Sequence, residues 1–154
     1  MNSGPIVDEF QTRVILSDTD AAGVIYMGSP TAWAQLGFEN LLIAAGLPID
    51  VLLARDHHYP VVSFTIEHHA PLKLSTPITV RTGVLAVRSR SIEFATTITN
   101  DITGTLACTA TRIAVAKSRS GQKVLAEDFF REMVCSRTDL GLQERGAAVA
   151  KGNP

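Results

Sequence analysis

Cysteine is scarce in this 154-residue sequence: only Cys108 and Cys135 occur, without the spacing of metal ligands or the number that a disulfide framework needs. We expect both to be small residues in the core or near the surface, without a functional role. The four histidines predict no metal site, because neighbours such as His68 and His69 point to opposite faces of a strand. The sequence therefore predicts neither a metal nor a cofactor.

An excess of charge of one sign is also missing. The chain has 14 Lys and Arg against 15 Asp and Glu, a formal net charge of -1, and no long basic stripe. Nucleic acid is therefore not an expected partner. Residues 1–9 lack the basic start and apolar middle of a secretory signal, which favours a cytoplasmic location. The apolar stretch at residues 30–45 is too short and too interrupted to predict a membrane span.

The hydrophobic content of 45% and the charged content of 19% are ordinary for one globular domain. We place this single domain at residues 1–137. Residues 138–154, rich in Ala, Gly and charge, are expected to form a flexible C-terminal tail.

The chain is organised around residues 18–33, where an extended run at residues 10–17 gives way to a carboxylate-bearing loop and then to a helix. Ser29 followed by Pro30 is typical of a helix start, because Ser can cap free N–H groups and Pro fits the first turn. The helix is predicted over residues 30–45.

Apolar side chains go round most of this helix, which predicts a central helix covered on most sides. Its polar exceptions are Gln35 and Glu39, which share one face because they are four residues apart. Polar groups on a buried helix need partners or a wet cavity, so we expect this face to lie at the edge of a pocket.

Strands dominate the rest of the chain after a short second helix at Ile49–Ala54. They are predicted at residues 59–69, 78–87, 92–99 and 105–116, which are rich in Val, Ile and Thr. The breaks between them are short enough for antiparallel neighbours in a meander, and a last short segment runs through Val134. This order predicts an α+β fold, in which an antiparallel sheet covers one helix.

The loop before the central helix has the parts that acyl transfer needs. Asp18 and Asp20 lie just upstream of unpaired N–H groups, which together with the helix dipole can hold a developing oxyanion while a carboxylate attacks or activates water. A loop of this kind is also often only a turn, and the spacing by itself favours that interpretation. A Ser-His-Asp hydrolase is not expected, because the G-x-S-x-G turn is missing.

The Asp18-x-Asp20-x-x-Gly23 loop, followed by hydrophobic residues, Tyr26 and the helix, resembles the hotdog-fold thioesterases of the 4-hydroxybenzoyl-CoA thioesterase family. The resemblance covers residues 12–116. Comparable features follow at Gly46-Leu47-Pro48, Pro60-Val61-Val62-Ser63, Ala70-Pro71-Leu72 and Arg88-Ser89-Arg90-Ser91. It implies a hotdog fold, with an antiparallel sheet wrapped around one long central helix.

The resemblance also implies roles for individual residues. Asp20 would be the catalytic carboxylate, as a nucleophile or as a general base on water, and Asp18 would order the loop. The backbone N–H groups of Met27, Gly28 and Ser29 would polarise the thioester carbonyl.

Substrate-binding positions implied by the resemblance are Tyr26, Gln35, Glu39, Ser63, Arg88, Arg90 and Ser91. The two arginines lie at a hairpin tip, from which they would meet the nucleotide end of coenzyme A. Taken alone, such a basic turn is usually only a solvated tip. A second basic turn, with Lys117, Arg119 and Lys123, has the same possible use and a weaker claim.

Two departures from the family bear on the substrate. Met27 follows Tyr26 where the short-chain branch often has His, which disfavours a His-assisted mechanism. Gln35 stands where the 4-hydroxybenzoyl branch has a carboxylate facing the phenol of its substrate. Glu39 could take over that contact or act as a second acid, and a buried Glu bonded to a neighbouring strand is the alternative.

The expected function is that of a cytoplasmic acyl-CoA thioesterase acting on an aromatic acyl group of the 4-hydroxybenzoyl or 1,4-dihydroxy-2-naphthoyl type. The coenzyme A is then part of the substrate. The alternatives are a thioesterase for an acyl chain on acyl carrier protein and a non-catalytic acyl-CoA binding protein. A hotdog dehydratase is disfavoured, because no histidine lies near the helix.

A homo-oligomer is expected, because one small sheet around one helix leaves strand edges and a sheet face open. A dimer is the minimum, and the resemblance implies a tetramer.

Overall fold

The computed structural model describes residues 7–139, with side chains through Met133. Within this range the strands are β1 (Val7–Arg13), β2 (Val61–His68), β3 (Pro77–Val87), β4 (Ser91–Asn100) and β5 (Leu106–Val115). The helices are α1 (Ser29–Ala44), α2 (Ile49–Ala54) and α3 (Ala126–Asp139), with a 3-10 turn at Leu16–Asp18. Among these helices, none is both long and apolar enough to cross a lipid bilayer.

The strands form one antiparallel sheet in the order β1-β3-β4-β5-β2. The predicted meander is correct for β3, β4 and β5 but wrong for β2, which pairs with β5 and not with β3. The residues between β2 and β3, 69–76, cross the end of the sheet. At roughly 3.3 Å per residue these eight can span about 26 Å, whereas three strand spacings need only about 14 Å. A short connection therefore allows either pairing.

Helix α1 packs across the inner face of the sheet and starts and ends one residue earlier than predicted. The inner-face side chains include Ile78 and Val80 of β3 and Phe94 and Ile98 of β4, all of them buried. Gly37 allows the close approach, because a Cβ there would overlap the hydroxyl of Thr82. That hydroxyl forms a buried hydrogen bond of 2.8 Å with Thr96.

The helix is covered on fewer sides than its composition predicts. Trp33, Leu41 and Leu42 are buried, but Leu36 is 45% exposed and Ile43 is 62% exposed. These two residues lie on the side of α1 that faces away from the sheet. In the described part of the single chain, one stripe of the helix is therefore open.

The first strand and the last segment also differ from the prediction. β1 lies at Val7–Arg13, not at residues 10–17, because the chain bends at buried Val14 into the 3-10 turn. The last segment is helix α3, which packs on the core through Phe129 and Met133. The remainder of the proposed tail, residues 140–154, lies outside the described residues.

Candidate active site

Asp18 organises the loop that precedes α1. Its carboxylate Oδ2 accepts a hydrogen bond of 2.9 Å from the N–H of Ile15. Its carbonyl oxygen accepts two more, at 3.0 Å from the N–H of Tyr26 and at 2.6 Å from the hydroxyl of Ser29. Asp18 therefore fixes the 3-10 turn to the start of the helix, which is the role that the family resemblance gives it.

Asp20 lies at the exposed tip of the same loop. Its N–H donates to the carbonyl oxygen of Val24 at 2.9 Å, and its carbonyl accepts from Gly23 at 3.0 Å. Gly23 has φ +74°, a conformation that favours glycine. The Oδ1 atom of Asp20 accepts from the N–H of Ala22 at 2.8 Å, and Oδ2 has no partner among the described residues. The carboxylate is thus oriented through one oxygen and available through the other.

The residue that caps α1 is Gly28, not Ser29 as the sequence pattern suggests. Ser29 is the first helical residue and is 1% exposed, and its hydroxyl donates a hydrogen bond to the carbonyl oxygen of Asp18. The ring of Tyr26 lies over Gly28, where a Cβ would overlap it. A serine that binds the preceding loop cannot cap its own helix, which explains the error.

At the start of α1, two main-chain donors have no partner among residues 7–139. The N–H of Ser29 already donates to the carbonyl of Tyr26 at 3.1 Å, and Thr31 donates to Gly28 at 3.0 Å. Within the described part of the chain, the N–H groups of Met27 and Gly28 have no partner. They lie at the positive end of the helix dipole. The free donors between the loop and the helix are therefore those of Met27 and Gly28.

Gln35 and Glu39 belong to a polar chain that reaches the sheet. The amide Nε2 of Gln35 donates to Glu39 Oε1 at 2.6 Å, and Gln35 Oε1 accepts from Arg112 of β5 at 2.6 Å. Arg112 is only 6% exposed, and its guanidinium lies 4.5 Å from the ring centre of Phe38 and 5.5 Å from that of Phe64. Burial lowers the pKa of Arg112, and the charge of Glu39 opposes that shift.

Arg112 was not identified from the sequence, although strand alternation places it in phase with buried Ala110 and Ala114. A charged residue at an inward-facing strand position needs a partner, so this phase in the sequence could have identified Arg112 as a site residue.

Two basic turns meet at the other end of the fold. Arg90, Lys117 and Lys123 line a cavity of about 470 Å³, which we call the basic cavity. The carbonyl of Arg90 accepts from the N–H of Ala116 at 2.8 Å, which joins the β3–β4 turn to the end of β5. Arg88 instead lies 3.5 Å from Glu93, and its side chain does not line this cavity.

Asp56 fixes the second basic turn. Its carboxylate accepts from the hydroxyl of Ser118 at 2.7 Å and from the N–H groups of Arg119 and Ser120 at 3.1 and 3.0 Å. It also lies 2.9 Å from Nε2 of His58. The hydrogen bonds from Ser118, Ser120 and Arg119 hold the pKa of Asp56 well below its usual range. Its backbone has φ +58°, so this fixed geometry carries backbone strain.

The proposed site residues fall into separate regions of one chain. Asp20, Tyr26, Met27, Gly28 and Ser29 are together at the start of α1. Ser63 is exposed on edge strand β2, while Ser91 is half-buried at the start of β4, beside Arg88 and Arg90. The basic cavity lies beyond the opposite end of α1, which is about 24 Å long at 1.5 Å per residue. Among the residues whose side chains are described, no group of His, Cys, Asp or Glu could hold a metal ion.

The model of the thioesterase-like superfamily matches residues 14–134, and the chain belongs to that family. Curated relatives are the acyl-CoA thioester hydrolases YbgC of Escherichia coli O157:H7 and of Shigella flexneri. Each is 30% identical over 88 residues, which is 57% of this chain and 66% of the relative. The chain thus spans just under two thirds of the length of these relatives.

Solved structures share the fold. A 1,4-dihydroxy-2-naphthoyl-CoA thioesterase from Synechocystis superposes with a TM-score of 0.74 at 19% identity, over 84% of this chain and 96% of that one. A 4-hydroxybenzoyl-CoA thioesterase variant bound to 4-hydroxybenzoyl-CoA gives 0.73 at 19% identity, over 84% and 99%. The hotdog fold and the family resemblance inferred from the sequence are confirmed.

The hydrogen bonds to Asp56 predict a pH effect on stability. Because the folded state lowers its pKa, ionised Asp56 stabilises the fold above the unfolded value of about 3.9, and this contribution is lost as the pH falls through and below that value. Asp56→Asn should therefore lose less stability than the wild type between about pH 7 and about pH 3, measured as the urea midpoint.

Asp50→Asn, at an exposed position of α2, is the matched control and should behave as the wild type. An equal acid-induced loss in the wild type and in Asp56→Asn would contradict this account of the turn.

Proposed function

We propose that this chain is an acyl-CoA thioesterase, which hydrolyses a thioester to a free carboxylic acid and coenzyme A. One observation carries the proposal: the loop before α1 holds both the Asp20 carboxylate, with its free Oδ2 atom, and the free N–H groups of Met27 and Gly28. The names of the Escherichia coli and Shigella relatives support the same activity.

The reaction follows from these groups. The thioester carbonyl oxygen accepts hydrogen bonds from Met27 and Gly28, and the helix dipole stabilises the negative charge that develops there. As a nucleophile, Asp20 attacks the carbonyl carbon, the thiolate of coenzyme A leaves, and water then hydrolyses the resulting anhydride. As a general base, Asp20 takes a proton from the attacking water and the departing thiolate is protonated. The free Oδ2 atom suits either course.

The basic cavity supports binding of the phosphates of coenzyme A. Guanidinium and ammonium groups form strong, charge-assisted hydrogen bonds with phosphate oxygens, and Arg90, Lys117 and Lys123 converge on one space. Arg88 contributes less than the sequence suggests, because Glu93 lies beside it. Asp56 weakens phosphate binding little, since its carboxylate is already occupied by donors of the turn.

A homo-oligomer fits the surfaces that one chain leaves open. On edge strand β2, Val61 is 47% exposed and Val62 is 60% exposed, and the stripe of α1 with Leu36 and Ile43 is also open. A second subunit whose α1 runs antiparallel to the first would cover the β2 edge and the stripe of α1. It would also bring its own basic cavity toward Asp20 of the first subunit. The outer sheet face around Leu85 and Leu106 offers a further contact for a tetramer.

An aromatic acyl group is the substrate that we favour. Two of the proteins that share the fold are named for hydroxylated aromatic acyl-CoA thioesters. The cytoplasmic location and the chemistry without a cofactor or metal stay predictions of the sequence.

Asp20→Asn should lower kcat by roughly 100-fold or more, since a neutral amide neither attacks nor accepts the proton of water. Release of free thiol from a panel of acyl-CoA thioesters measures this, with Asp50→Asn as the matched control. Full activity of Asp20→Asn on the best substrate would contradict the mechanism. Wild-type protein that binds coenzyme A but hydrolyses no thioester would be a binding protein instead.

Lys123→Ala should raise KM for an acyl-CoA roughly tenfold or more, because one charge-assisted bond to phosphate contributes about 1.5–3 kcal/mol. The N-acetylcysteamine thioester of the same acyl group has no phosphate, so its kcat/KM should not respond. Arg131→Ala, at an exposed position of α3, is the control. An equal effect on both thioesters would argue against the basic cavity as the phosphate site. Faster hydrolysis of an acyl chain on acyl carrier protein than of the same acyl-CoA would identify the carrier-bound chain as the substrate.

A further inference from the structure

Asp56 stands at a position where the backbone favours glycine. Helix α2 ends at Ala54, and the N–H groups of Asp56 and His57 donate to the carbonyl oxygens of Leu53 and Leu52 at 3.0 and 2.9 Å, as in a C-terminal cap. Asp56 has φ +58°, a left-handed conformation that costs glycine nothing and strains an aspartate. A strained residue of this kind points to a use for its side chain.

The carboxylate of Asp56 is occupied mainly by donors of one turn. Oδ1 accepts from the N–H of Arg119 and from Nε2 of His58, and Oδ2 accepts from the hydroxyl of Ser118 and the N–H of Ser120. Because an ionised carboxylate can only accept, Nε2 of His58 carries a hydrogen in this contact. Each oxygen thus accepts two hydrogen bonds, which leaves little capacity for a lysine or arginine nearby.

Lys117 is fixed by the same set of contacts. Its N–H donates to the carbonyl of His58, and its own carbonyl accepts from the N–H of His58, both at 2.8 Å. Asp56 contacts both sides of this bridge, since it bonds the side chain of His58 and the residues that follow Lys117. One carboxylate therefore holds the segment from which the Lys117 side chain enters the basic cavity.

The cations of the basic cavity have no carboxylate partner. In the part of the chain whose side chains are described, no ion pair involves Arg90, Lys117 or Lys123. Lys123 is held from another side, because the N–H of Ala126 donates to the carbonyl of Ser89 at 3.1 Å and anchors the start of α3. Two lysines thus reach one cavity from separately fixed segments.

We propose that Asp56 is a positioning residue, which fixes the turn after β5 so that the ammonium group of Lys117 meets a phosphate of coenzyme A. The proposal rests on the thioesterase function proposed above, and it assigns a role to a residue that does not touch the ligand. Charge alone predicts that removing a carboxylate beside a phosphate site strengthens binding. Positioning predicts the opposite, namely that coenzyme A binds more weakly without the Asp56 carboxylate.

The test measures Kd for coenzyme A by calorimetry, and KM for the acyl-CoA that the wild type hydrolyses fastest, in Asp56→Gly and Asp56→Asn. Glycine adopts the left-handed backbone without strain, and asparagine tolerates it. In both variants Kd and KM should rise roughly three- to tenfold with kcat retained, because a charge-assisted bond to phosphate is weakened. Asp50→Asn, which removes an exposed carboxylate from α2, is the control and should keep the wild-type values.

A second readout uses the N-acetylcysteamine thioester of the same acyl group, which has no phosphate. The ratio of kcat/KM for the acyl-CoA to kcat/KM for this thioester should fall in Asp56→Gly by the factor by which KM rises. A general loss of structure would lower both values of kcat/KM together and leave their ratio unchanged.

Double variants locate the effect at Lys117. Lys117→Ala should raise Kd for coenzyme A roughly tenfold, through loss of one charge-assisted bond. Asp56→Gly/Lys117→Ala should bind no more weakly than Lys117→Ala, because both changes remove the same contact. In Asp56→Gly/Lys123→Ala the two factors should multiply, since Lys123 is anchored by another segment. A purely structural role of Asp56 would not distinguish the two lysines.

An unchanged or lower Kd in folded Asp56→Gly and Asp56→Asn overturns the proposal, as does a loss of affinity that persists in full in the Lys117→Ala background. If one of the two Asp56 variants does not fold, the other decides the matter. Wild-type protein that binds coenzyme A but hydrolyses no thioester contradicts the proposed function, and the Kd values still decide this inference. Active enzyme whose KM ignores the Asp56 variants contradicts only this inference.

Discussion

The unpaired N–H groups at the start of α1 are the constraint on which the site depends. A helix begins with donors that have no partner inside it, and they must be satisfied by neighbours, water or ligand. Here Ser29 gives its hydroxyl to Asp18 and its N–H to Tyr26, so the loop is tied to the helix. Among the residues that the structure describes, Met27 and Gly28 are left with N–H groups that have no partner, beside the turn that orients Asp20. Donors and carboxylate thus belong to one bonded unit.

Helix α1 also sets the distances between the chemical functions of the chain. Its start carries the groups proposed to react, Gln35 and Glu39 lie along its length, and the basic cavity lies beyond its other end. Residues of the sheet fix two of these regions. Arg112 holds the amide of Gln35, and the junction of the β3–β4 turn with the end of β5 shapes the cavity. In the function proposed here, a thioester, its acyl group and its phosphates would need three different environments, with the phosphates in the basic cavity of a second subunit.

Local patterns in the sequence were enough to predict α2 and, within one residue at each end, α1 and strands β3, β4 and β5. Capping residues and the alternation of apolar and polar residues act over a few positions, so their effects can be predicted from short segments of the sequence. The crossing of β2 was missed because the connection after it is long enough for either pairing. The role of Ser29 was missed because a serine hydroxyl can cap a helix or bind a loop. Arg112 and Asp56 bond to residues 77 and 62 positions away, beyond the reach of local patterns.

The most direct measurement of the central claim is a crystal structure of the Asp20→Asn variant with an acyl-CoA thioester bound. The account predicts the carbonyl oxygen at about 2.7–3.1 Å from the main-chain nitrogen of Met27 or Gly28, with residue 20 facing the carbonyl carbon. A thioester bound with its carbonyl away from the start of α1, in every subunit of the assembly, would contradict it.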